Sequence, residues 1–76
     1  MNSVIGLNNK KQVVFAQEIQ PTYSPMDAKY QATEAIRPHR KELGDDCRFF
    51  VVASRSLPKV GRRLNRITTR PMYELV

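Results

Sequence analysis

Cysteine is almost absent from this chain. Cys47 is the only one in 76 residues, which excludes an intrachain disulfide and leaves none of the paired thiols of a zinc site. A lone thiol suits a reducing compartment, so a cytoplasmic protein is expected. Long apolar runs are missing as well. No stretch approaches the roughly 20 residues of a membrane-spanning helix, and the start, MNSVIGLNNKKQVVF, has no long apolar core behind a basic head. No membrane partner is expected. Glycine is sparse, and GLNNKK and KVGRR hold one each, so neither is a phosphate-cradling loop. His39 is the single histidine.

Together with Cys47, Asp45 and Asp46, His39 supplies the residue types of a thiol catalytic site. Catalysis needs base and nucleophile within hydrogen-bond reach and some shielding from water, and a metal would need two carboxylates beside the lone Cys and His. Cys47 is better read as a small apolar residue opening a buried strand, and His39 as an exposed loop residue beside Arg37, Arg40 and Lys41. No enzymatic activity, metal or cofactor is expected.

A chain of this length forms at most one domain, with a core only marginally sufficient for its size. The composition, 41% hydrophobic and 26% charged, is that of a foldable soluble chain rather than a disordered one. Ordering costs roughly 1.5 kcal/mol per residue, so nearly all the Val, Ile, Leu and Phe residues are needed in the core and few remain for a pocket. A single domain over residues 1–76 is expected.

Val4, Ile5 and Leu7 precede Asn8-Asn9, and Val13 to Phe15 follow, which predicts two short strands around a turn. A second reading leaves residues 1–20 partly flexible and starts the folded core near Tyr23. Ser24 as N-cap, Pro25 at the first helical position and Asp27 in the first turn predict a helix over about 25–36. Ala28, Ala32, Ala35 and Ile36 form its apolar stripe, and Pro38 stops it. Residues 37–46 read as an exposed, flexible connection with room for one helical turn. CRFFVVAS is the strongest strand signal and is expected in the middle of the sheet. Leu57, Val60, Leu64 and Ile67 follow at helical spacing behind Ser56 and Pro58, predicting a second helix. Gly61 inside it costs about 1 kcal/mol relative to alanine, which leaves open a later start near Gly61. RPMYELV alternates as a final strand would. The expected fold is α+β, a small mixed sheet of three to four strands with two helices in the order ββαβαβ, its last three elements forming a right-handed crossover.

Charge is the most specific signal. The 13 cations and seven acids give a net charge of +6, and they are unevenly placed. Residues 1–38 carry four cations against three acids, residues 39–76 nine against four, and no acid stands between residues 47 and 73. Lys59, Arg62, Arg63, Arg66 and Arg70 are therefore the candidate binding residues. Solvated faces usually intersperse acids at four-residue spacing because like charges repel. The competing structural reading lays cations over apolar surface or against a helix C-terminus, but Lys59 at a helix N-terminus is unfavourable there.

An acidic protein surface is the first expected partner, since Arg beside a small apolar or aromatic anchor is a common hot-spot composition, with Tyr23, Tyr73 or a residue of the N-terminal hairpin as the anchor. An exposed edge strand is a further means of contact. Direct binding to DNA or RNA phosphates is the alternative. CRFFVVAS lacks the glycines of the aromatic strand in RNA-recognition domains, and Phe49 and Phe50 point to opposite faces. In size, charge and lack of enzymatic residues the chain resembles the small basic proteins that bacteriophages use to bind and redirect host machinery, RNA polymerase among them. The resemblance implies a non-enzymatic regulator of transcription and carries over no individual residue.

Overall fold

The computed structural model describes residues 1–75. Strands β1 (Asn2–Leu7) and β2 (Val13–Glu18) pair antiparallel. Asn8 organises the turn between them. Its side-chain oxygen accepts the backbone N–H groups of Lys10 and Gln12, both at 2.9 Å, and its carbonyl accepts that of Lys11 at 3.0 Å. These local bonds hold Lys11 at φ 62°, in the left-handed region.

Helix α1 (Pro25–Ile36) begins as its local chemistry dictates. The Ser24 hydroxyl accepts the Asp27 N–H at 3.3 Å, and Pro25 contributes no donor where none has an intrahelical acceptor. A 3₁₀ turn (Arg37–His39) and the single turn α2 (Arg40–Leu43) continue the chain. Gly44 ends this segment at φ 79°, where a side chain would be strained. Strands β3 (Arg48–Ser54) and β4 (Thr69–Leu75) follow, joined by a long loop over residues 55–68.

The four strands form one sheet in the order β2-β1-β3-β4, with every neighbouring pair antiparallel. On one face Val4, Phe15, Phe49 and Val51 meet Ile19 and the buried helical residues Ala28, Ala32 and Ile36. The small alanines let α1 lie close to the sheet, and each large aliphatic or aromatic side chain buried there contributes roughly 1.5–3 kcal/mol. Alternation places Ile5 and Val52 on the opposite face, and they and Val13 are essentially inaccessible to solvent.

Loop 55–68 runs from the end of β3 to the far edge of the sheet. It reaches the outer edge of β2, where the Val13 N–H donates to the Arg62 carbonyl at 2.8 Å and the Gly61 N–H to the Val13 carbonyl at 2.7 Å. Gln12 and Arg63 form a bridge beside them. At the other edge of the sheet, β4 carries Pro71 and is displaced in register against β3 between Val51 and Val52.

The fold is therefore α+β with the order ββαββ, and it corrects the expected ββαβαβ. The sheet is antiparallel rather than mixed, so β3 and β4 are neighbours and no crossover occurs. The expected second helix is a loop. Its apolar spacing is coincidental, for Ile67 is 96% and Val60 62% exposed. Pro58 lacks an N–H, Gly61 adopts φ 94°, and the run Ile67, Thr68, Thr69 lowers helix propensity. Bonds to the edge of β2 take the place of helical ones at Gly61 and Arg62.

Candidate binding surface

The five cations singled out from sequence all belong to this loop or the start of β4, and all are exposed. With residues 55–68 a loop, Lys59 stands at no helix N-terminus. The scarcity of acids around these cations is independent of the helix. Among the described residues the ion pairs are Arg37 to Glu34 at 3.0 Å and Arg48 to Glu74 at 2.6 Å, and the His39 ring lies 4.0 Å from the Glu42 carboxylate. None involves Lys59, Arg62, Arg63, Arg66 or Arg70, and their side chains form no hydrogen bond within the described chain.

The loop distributes these cations over three shallow clefts. Lys59, Arg62 and Arg63 share one of about 390 Å³ with Arg55, over Val13, Leu57, Pro58 and Leu64. Arg63 and Arg66 share a second, of about 330 Å³, with Lys10, Lys11, Asn9, Leu7 and Leu64. Arg70 lies apart, lining a third with Arg55 and Ile67. Among the described residues no carboxylate lines any of the three. Positive charge is thus concentrated where the described residues offer nothing to offset it.

Lys10, Lys11 and Arg55 were missed by sequence reasoning. Arg55 lies in the same acid-free stretch and charge alone would have included it. The two lysines join the surface only because the β1–β2 turn meets the loop. Apolar residues are interleaved with the cations: Leu57, Val60 and Ile67 are exposed large hydrophobic side chains on this one loop. The expected aromatic anchors lie elsewhere. Tyr73 packs partly against the core, and Tyr23 is fully exposed in the segment before α1.

The Cys47 and His39 side chains have other surroundings. The thiol is half-buried against the core cluster, and burial pushes its pKa up, the opposite of an activated nucleophile. The His39 ring sits 5.3 Å from that of Phe15. Phe49 is buried, whereas Phe50 is half-buried on the other face with the Arg48 guanidinium 5.4 Å from its ring. Among the described residues no group of three or more His, Cys, Asp and Glu is placed to hold a metal ion, and no helix is long and apolar enough to cross a membrane. Comparison with known protein families, characterised proteins and solved structures finds no match to this chain.

Proposed function

We propose that this protein is a non-enzymatic regulatory binding protein that docks loop 55–68 and Arg70 on an acidic surface of a nucleic-acid-processing machine such as RNA polymerase. The observation that carries this reading is the interleaving on one loop of unpaired cations with exposed Leu57, Val60 and Ile67. Phosphates require only the charges. A protein interface uses both, with aliphatic anchors desolvated at the centre and arginines around them. The free thiol of Cys47 is compatible with a reducing compartment, which supports the cytoplasm as the proposed location.

The convergence of Lys10, Lys11, Arg63 and Arg66 favours a second reading, direct binding to DNA or RNA. About six phosphate contacts would give a log-log salt slope of roughly −5. Capture from a cell lysate with and without nuclease separates the two. Protein partners retained after nuclease treatment, and lost on Arg62→Glu/Arg66→Glu and on Ile67→Ser, support the first. Partners that disappear with the nucleic acid, or that survive all three substitutions, refute it.

A further inference from the structure

We propose that the cleft between the β1–β2 turn and loop 55–68 is a phosphate-binding site that takes a short run of linked phosphate groups. This goes beyond the docking reading, because it adds Lys10 and Lys11 and does not require a protein partner. Four cations converge from two segments far apart in sequence, Lys10 and Lys11 on one wall and Arg63 and Arg66 on the other. None has an ionic partner among the described residues. Their mutual repulsion, screened in part by solvent and salt, favours an anion from outside.

The walls are fixed before any ligand arrives. Asn8 holds the lysine turn through its side chain and carbonyl. The Gln12–Arg63 bridge and the paired bonds of Val13 with Gly61 and Arg62 tie that turn to the loop. Little backbone ordering therefore remains for binding, and the cost left is that of fixing the four long side chains on the anion. Leu7 and Leu64, both half-buried, form the apolar part of the lining, and a less polar surround strengthens each charge-assisted contact.

Charge defines the ligand. The cleft is open and about 330 Å³, so its shape does not confine it to a single phosphate group. A phosphodiester carries one negative charge and a terminal phosphate about 1.5 to 2, which matches four cations to a short oligophosphate. No aromatic side chain lines the cleft, so it reads phosphates and not bases. The phosphates have two possible sources, a free oligophosphate or a nucleic-acid backbone.

The test titrates the intact protein with tripolyphosphate and, separately, with single-stranded oligothymidylate, following backbone amide resonances and affinity. Saturable shifts centred on Lys10, Lys11, Arg63 and Arg66 are expected with at least one ligand. Lys10→Glu/Arg63→Glu should weaken binding by about tenfold or more, whereas Lys29→Glu/Lys41→Glu, with the same net charge change outside the cleft, should alter it less than about twofold. Tighter binding of the oligonucleotide identifies the backbone as the source, and tighter binding of tripolyphosphate identifies the free anion. Equal weakening by both variant pairs, or shifts without saturation for both ligands, overturns the proposal. Partner capture that fails while this titration succeeds refutes the docking reading alone.

Discussion

Replacing Gly6 by alanine tests the packing that holds the sheet beneath the binding surface. Gly6 is opposite Phe15 on one side and Phe49 on the other, in the central strand β1. An alanine Cβ there would stand 2.7 Å from the Cys47 Sγ and 2.9 and 3.2 Å from the Phe49 ring edge. Gly6 is not among the positive-φ residues, so alanine incurs no backbone strain. Considered alone, the change would stabilise by roughly 0.4–1 kcal/mol through the unfolded chain. Overpacking opposes this with about 1–3 kcal/mol. The Sγ can swing away at small cost, but the Phe49 ring is buried and held in the core, so overpacking wins. We expect a net loss of about 1–2 kcal/mol, and about 4–8 °C in Tm for each kcal/mol at this chain length. Thermal and urea unfolding followed by circular dichroism measure it. Cys47→Ala in the Gly6→Ala background should restore part of the loss, giving a favourable coupling in a double-mutant cycle. Gly6→Ala at or above wild-type stability would refute the close packing of this row.

Two further outcomes concern buried or half-buried polar atoms. The Ser3 hydroxyl is fully buried and has no hydrogen-bond partner among the described residues, so Ser3→Ala should raise stability by about 1 kcal/mol. A lower urea midpoint would show that the hydroxyl is satisfied. The Cys47 thiol is shifted above its usual 9.0 by burial, so folding favours its neutral form. That contribution is fully present below pH 9 and fades as the pH climbs through the raised value. Relative to wild type, Cys47→Ala should therefore lose less stability between pH 8.5 and pH 10.5. Parallel declines in urea titrations would contradict the shift.

Local chemistry explains what was legible in the sequence. The start of α1 depends on Ser24, Pro25 and Asp27, its buried stripe on Ala28, Ala32 and Ile36, and each of these signals acts within one or two turns. The continuous apolar run of β3 marked it as an inner strand with equal clarity. Residues 55–68 were misread because Leu57, Val60, Leu64 and Ile67 match a helical period while the determining contacts lie far away, at Val13. Gly61 and Pro58 were the local dissent from that pattern. That the five cations lack ion-pair partners among the described residues was legible for a different reason. Pairing requires a carboxylate nearby, and a stretch without Asp or Glu limits the opportunity for one. Which cations share a cleft was not legible, since Lys10 meets Arg63 and Arg66 only through the topology of the sheet.

The edges of the sheet limit how another chain can attach. At Val13 the outward-facing backbone groups of β2 are already bonded, and β4 interrupts its own rim with Pro71, which has no donor to offer. An incoming extended peptide would find the start of β2 occupied and one donor missing along β4. Both features shorten the ladder that a neighbouring strand could extend, a usual way of blunting edge-to-edge growth of a sheet.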